Sequence, residues 1–274
     1  MCADSAKPAE TVTATIDLTF AGRKGRLEVP VPTGPTRPVE LLPLLRSLTD
    51  TFVRIAVENV ESTGASISCR KGCGACCRQL VPISEVEAES IRDIVQQLPE
   101  ARRAVVIERF EQARQRLGAA GLLESLRAPA QCTREDLLPL GVAYFEQRIP
   151  CPFLEEESCS IHDDRPLSCR EYLVVSPAAN CARPTPSTID CVKMPVKVSN
   201  AMRHLDPDTA DTSPPWIPLV LALEWPATDR IGGAPRTGTA QVAALLGHLF
   251  GQEIEEPKTA TATADPTSCA PVTP

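Results

Sequence analysis

The sequence predicts a mainly α-helical fold with a small N-terminal β-hairpin and two cysteine-bearing loop regions. Three observations carry this prediction. Apolar residues recur at helical spacing in several segments between residues 39 and 250. Alternation at period two marks a strand near the N-terminus, over Thr11 to Phe20. Most of the 12 cysteines gather where Gly or Pro interrupts regular patterns.

Residues 1–9 read as a loose leader. Thr11 to Phe20 alternates, with Val12, Ala14, Ile16 and Leu18 on one face, as a strand does. Arg23-Lys24-Gly25 reads as a turn and Leu27 to Val31 as the returning strand. A lone hairpin is marginal in water, so it must pack on something. Pro and Gly in 32–38 mark a linker. A helix is expected from Val39 to Glu61, with Leu41, Leu44, Leu45, Leu48, Phe52, Ile55 and Val57 at helical spacing. Ser84-Glu85-Val86-Glu87 fits a capping box. The helix it opens places Ile91, Ile94, Val95 and Leu98 on one face, and Pro99 ends it. Residues 100–117 resume the pattern with Val105, Ile107, Phe110, Ala113 and Leu117. Arg102, Arg103, Glu108, Arg109 and Glu111 are its solvated face. Residues 133–147 form a short helix interrupted at Pro139. Residues 150–195 read as loops with one or two helical turns, 206–236 as Pro-rich, and Thr239 to Phe250 as a last helix. From Pro257 onward Thr, Ala and Pro dominate, the composition of a disordered tail. The expected divisions are a hairpin segment with linker (1–36), a helical cysteine-cluster domain (37–200), a Pro-rich segment with the last helix (201–252) and the tail (253–274).

The chain has 274 residues, 43% apolar but only 4% aromatic, so its core lacks the usual large fillers. Small or sparse cores are often supplemented by metal or cross-links. A net charge of −7 argues against nucleic acid or an anionic membrane surface as partner. No run approaches the ~18 apolar residues of a membrane span. The longest, Trp216 to Trp225, is short and carries Pro218 and Glu224. Without a basic start and apolar run, the N-terminus does not resemble a signal peptide, so the expectation is a soluble cytoplasmic protein with reduced thiols rather than disulfides.

Nine cysteines fall in two groups: Cys69, Cys73, Cys76 and Cys77, then Cys151, Cys159, Cys169, Cys181 and Cys191. Cysteines separated by two residues, as Cys73 and Cys76 are, can turn back onto one ion, as metal–sulfur bonds of ~2.3 Å demand. Gly72 and Gly74 free the backbone for that turn and for amides to point at sulfur. Arg70, Lys71 and Arg78 can offset thiolate charge. Cys76 and Cys77 are adjacent and their side chains tend to diverge, so one of the two is expected to face a second metal or a core. In the second group Pro166 opens a helical turn, which would put Cys169 near free N–H groups and favour its thiolate. Nine thiols exceed the four of one site. One site drawn mainly from Cys69, Cys73, Cys76 and a downstream cysteine, with a second built on Cys77, would account for them; zinc and an iron–sulfur cluster suit all-sulfur ligands equally.

These segments resemble the CxxCxxCC family, the YkgJ-like cysteine-cluster proteins, described as zinc- or iron-chelating. The resemblance rests on Cys73, Cys76, Cys77, Cys151, Pro152, Leu154, Cys159, Ile161, His162, Arg165, Pro166, Cys169 and Arg170. Three residues separate Cys69 from Cys73, where the family name has two. The resemblance implies a chelating domain with zinc or iron, a 4Fe-4S cluster included. Some relatives resemble flagellin lysine N-methylases, which opens an enzymatic reading with a protein substrate.

Other features read as structural. Cys132 stands alone and suits a small buried hydrophobe. Cys2 and Cys269 lie in the terminal segments. In the family His162 alternates with Tyr, a poor zinc ligand, which favours packing or hydrogen bonding for it. His204 and His248 lack metal-spaced neighbours. Arg165 and Arg170 either pair with Asp163 and Asp164 or balance charge near the metal. Gly232-Gly233 has no Walker lysine and reads as a turn. The functional alternatives are therefore metal binding, an iron–sulfur enzyme that modifies protein, and a metal-stabilised interaction module docking through 206–236.

Overall fold

The computed structural model describes residues 10–20, 23–185, 187–194, 196–202, 216–225 and 236–250. Cys2, Cys269, His204, Gly232-Gly233 and the tail lie outside them. The fold is mainly α, with short antiparallel strand pairs.

Strands β1 (Thr11–Phe20) and β2 (Arg23–Pro32) form the expected hairpin, with Ala14 opposite Val29 and Phe20 opposite Arg23. Arg23-Lys24-Gly25 therefore lies in β2 and is not a turn. Ala14, Val29 and Val31 are buried, so the hairpin closes the core of the helices. Helix α1 (Leu42–Ser62) buries Leu42, Leu45, Leu48, Phe52 and Ala56 on one stripe. Against it pack α6 (Leu167–Glu171), α7 (Val198–Met202) and α8 (Gly238–Phe250), through Leu167, Val198, Met202, Val242 and Leu246.

Helix α2 (Glu85–Gln97) starts at the predicted capping box: Ser84 Oγ accepts from the Glu87 N–H, and Glu87 Oε2 accepts from the Ser84 N–H at 2.9 Å. Helix α3 (Glu100–Ala119) follows after Pro99. Its buried stripe is Val106, Phe110, Ala113 and Leu117, whereas Val105 and Ile107 are each 42% exposed. Three consecutive apolar residues left the phase open, and packing of Val106 beside Ile91 and Phe153 sets it. Helices α4 (Leu123–Arg127) and α5 (Arg134–Glu146) cover the far end of α3. Helix α5 runs through Pro139 without a break. Its capping box at Thr133 and the burial of Leu140 and Tyr144 outweigh the hydrogen bond that proline removes.

The stretch from Ile217 to Ala222 is wholly core. Strand β6 (Ile217–Pro218) pairs with β3 (Pro82–Ile83), and Ile217, Leu219, Val220, Leu221 and Ala222 are buried between α3, α4 and α5. Ile217 to Ala222, which fall within the expected docking region, are thus interior, whereas Glu224 is exposed and Trp216, Leu223, Trp225 and Arg236 are half-buried. No helix among the described residues is long and apolar enough to cross a membrane.

Candidate metal centre

The first cysteine group has no regular structure and is folded by two successive turns. Cys73 N–H donates to Arg70 O at 3.1 Å and Cys77 N–H to Gly74 O at 3.0 Å. Gly72, at φ +86°, supplies the left-handed residue the first turn needs. Gly74 serves close approach instead: a Cβ there would lie 2.6 Å from Leu154 Cδ1 and 2.9 Å from Glu157 O.

What presses on Gly74 is the small hairpin of β4 (Leu154–Glu155) and β5 (Ser158–Cys159). Its turn places Glu156 and Glu157 at φ +47° and +57°, a conformation that non-glycine residues adopt at a cost of about 1–3 kcal/mol each. Ion pairs hold it. Arg78 grips both oxygens of Glu157, and Arg102 and Arg109 of α3 converge on Glu155. Arg109 also donates to Pro152 O at 3.2 Å. Arg102 and Arg109 are therefore not merely a solvated face. They fix the loop between Cys151 and Cys159, a long-range role that local charge patterning does not signal. Phe153, fully buried and edge-on to Phe110 at 5.6 Å, anchors the same loop.

The two cysteine groups meet directly: Cys151 N–H donates to Cys77 O at 2.8 Å. On the other flank Ser68 N–H donates to Val174 O at 2.9 Å, and Val174 bridges to Cys191, so Cys69 and Cys191 sit either side of one extended segment. Pro166 caps α6 from outside its first turn, and Leu167 N–H donates to the buried Glu87 at 2.8 Å. Arg170 pairs with Asp50 of α1, not with the carboxylates of Asp163 or Asp164; Asp164 pairs with Arg46. His162 stays beside Asp163 at 3.3 Å on a 3-10 turn.

Cys73, Cys76, Cys77, Cys151, Cys159, Cys169 and Cys191 line one cavity of about 380 Å³. Cys69 and the buried Cys181 stand just outside that lining, within electrostatic reach of Cys73 and Cys76. Cys76 is the hub, for it also acts on Cys151, Cys159 and Cys169. Cys132 is elsewhere, packed on the α3–α5 core with its thiol toward Ser125 O. All ten described cysteines are free.

Burial favours the neutral thiols. It pushes Cys151 up to about 12 and Cys181 to about 11, and raises Cys69 and Cys159. Cys76 is raised first by its hydrogen bond with Cys77 and then by burial. Cys169 lies well above its ordinary value, so burial overrides the thiolate expected from its place at a helix start. Backbone N–H groups pull the other way: Val174 on Cys69 at 3.4 Å, Phe153 on Cys151 and Ile161 on Cys159. Amides aimed at sulfur, in a pocket whose thiols need a cation to ionise, are the chemistry of a thiophilic metal site. Among the described residues no three Cys, His, Asp or Glu side chains are drawn together on a single point. The sulfurs surround a space instead.

No curated protein matches this chain, and no solved structure does. Residues 68–188, which span both cysteine groups up to Cys181, match the family model described as "CxxCxxCC: Putative zinc- or iron-chelating domain".

Proposed function

We propose that the cysteine cavity holds more than one metal atom, zinc or iron, and that this centre is the working part of the protein. One observation carries the reading: seven thiols from both cysteine groups face a single cavity. Four thiolates saturate one tetrahedral ion, so seven ring thiols exceed a mononuclear site. Cys73, Cys76, Cys77, Cys151, Cys159, Cys169 and Cys191 are the proposed ligand pool, with Cys69 and Cys181 completing it on one flank. Metal would supply the positive charge that these buried thiols require to become thiolates. A two-zinc knot or a 4Fe-4S cluster would each draw its ligands from this pool.

A second reading, an enzyme working beside the centre, draws on the rest of the same cavity. Beyond the sulfurs it is lined by Val81, Leu173, Leu219, Lys197 and Asn200, groups that suit an organic substrate.

The test is metal and acid-labile sulfide per chain, with an absorbance spectrum, on protein purified without oxygen. Two or more metal atoms per chain are expected. Iron with sulfide and a band near about 400 nm identifies a cluster; colourless protein with two zinc ions identifies a knot. A single metal atom in fully loaded protein would sink the proposal.

A further inference from the structure

Arg165 lines the cysteine cavity, and its Nε is buried with no hydrogen-bond partner among the described residues. A guanidinium nitrogen left unpaired in the interior is costly, because its hydration is lost and nothing replaces it.

The backbone around Arg165 is fixed from both sides. Pro166 restricts it to extended conformation, observed as φ −56°, ψ 146°. Its carbonyl accepts from Arg170 Nε at 3.1 Å, and Arg170 is itself held by both oxygens of Asp50 on α1. Two residues on, the Leu167 N–H is held by Glu87 of α2. The neighbouring carboxylates are engaged elsewhere: Asp164 pairs with Arg46, and Asp163 lies by His162. The groups on which Arg165 does act are sulfurs, Cys69, Cys76 and Cys159, contributed by both cysteine groups.

We infer that Arg165 is a positioning residue for the metal centre: its Nε–H donates to a metal-bound sulfur and its charge offsets the surplus of thiolates. The inference rests on the metal-centre reading above and goes beyond it by assigning the anion that Nε serves. Hydrogen bonds in which a partner is ionised are roughly twice as strong as neutral ones, so a thiolate is a fitting acceptor. Loss of such outer partners typically weakens metal binding about 10–100-fold.

The test uses the reduced, metal-stripped full chain titrated with cobalt(II), whose thiolate charge-transfer bands report on the sulfurs directly. Wild type, Arg165→Met and Arg165→Lys are compared, with circular dichroism as the check on folding. Arg165→Met, near in shape but uncharged, is expected to bind cobalt about 10–100-fold more weakly, with displaced bands and unchanged helix content. Arg165→Lys restores charge but not the Nε donor, so affinity recovers in part while the bands stay displaced. Should Arg165→Met not fold, the lysine variant decides: bands and affinity equal to wild type would overturn the inference. Equal binding by wild type and Arg165→Met would likewise remove the role of Arg165 and leave the metal reading standing. A wild-type chain that binds no cobalt would overturn both.

Discussion

The two cysteine groups reach the same cavity by different means. Cys151, Cys159 and Cys169 are carried by segments anchored in the core, through Phe153 and Leu167, both at most 1% exposed. Ion pairs from α1 and α3 brace the same segments. Cys69, Cys73, Cys76 and Cys77 lie on irregular backbone from residue 65 to 80, shaped by glycine and held by hydrogen bonds to Cys151, Val174 and Glu157. The second group is a scaffold; the first is a strap laid over it. Metal should therefore matter most to the strap.

The sharpest way to break this comparison is at the scaffold. Glu87, 4% exposed, accepts from the backbone N–H of both Ser84 and Leu167 and so ties α2 to α6 below Cys169. Glu87→Ala strands two buried donors and should cost about 3 kcal/mol in urea unfolding, metal-loaded or not.

Gly74→Ala strikes the joint. Its added methyl meets Leu154 and the Glu157 carbonyl, so about 1–3 kcal/mol is expected. Helix content should hold while metal content falls, which paired circular dichroism and metal analysis would show.

A smaller effect follows from the thiols. Their ordinary value is 9.0, and burial raises Cys181 to about 11 and Cys151 to about 12 in the folded chain. The unfolded chain loses these protons first as pH rises, so the neutral form stabilises the fold below pH 9 and that contribution fades between 9 and 12. The metal-stripped, reduced protein should lose melting temperature across this window.

The least effect belongs to Glu157→Gln. The pair with Arg78 holds the Glu157 carboxyl below its ordinary 4.5, but the side chain is 57% exposed. Screening limits the loss to below about 1 kcal/mol. The contribution is present above pH 4.5 and lost as pH falls through the depressed value, so the variant and wild type should converge in acid.

Much of the scaffold was legible because its signals are local. The capping box at Ser84, the stripe of α1 and the alternation in β1 each depend on residues a few positions apart. The cysteine spacing likewise named the nine thiols now gathered about the cavity. Contacts chosen by the folded chain were not legible. Val105, Val106 and Ile107 are equally apolar, and only packing selects Val106. Arg102 and Arg109 look like any charged face until Glu155, about fifty positions on, meets them. The stretch from Ile217 to Ala222 follows Pro214-Pro215, contains Pro218 and reads as part of a Pro-rich docking segment, yet it fills the core. For Cys169, helix position and burial push in opposite directions, and only the structure gives the burial.

The central claim, that these cysteines hold metal together, is tested most directly by alkylating the native, metal-loaded chain before and after chelation and mapping each labelled thiol by mass. The account predicts protection of Cys69, Cys73, Cys76, Cys77, Cys151, Cys159, Cys169, Cys181 and Cys191, lost on chelation first across residues 69–77, while Cys132 reacts at the same rate throughout. Labelling of those nine that chelation leaves unchanged would contradict it.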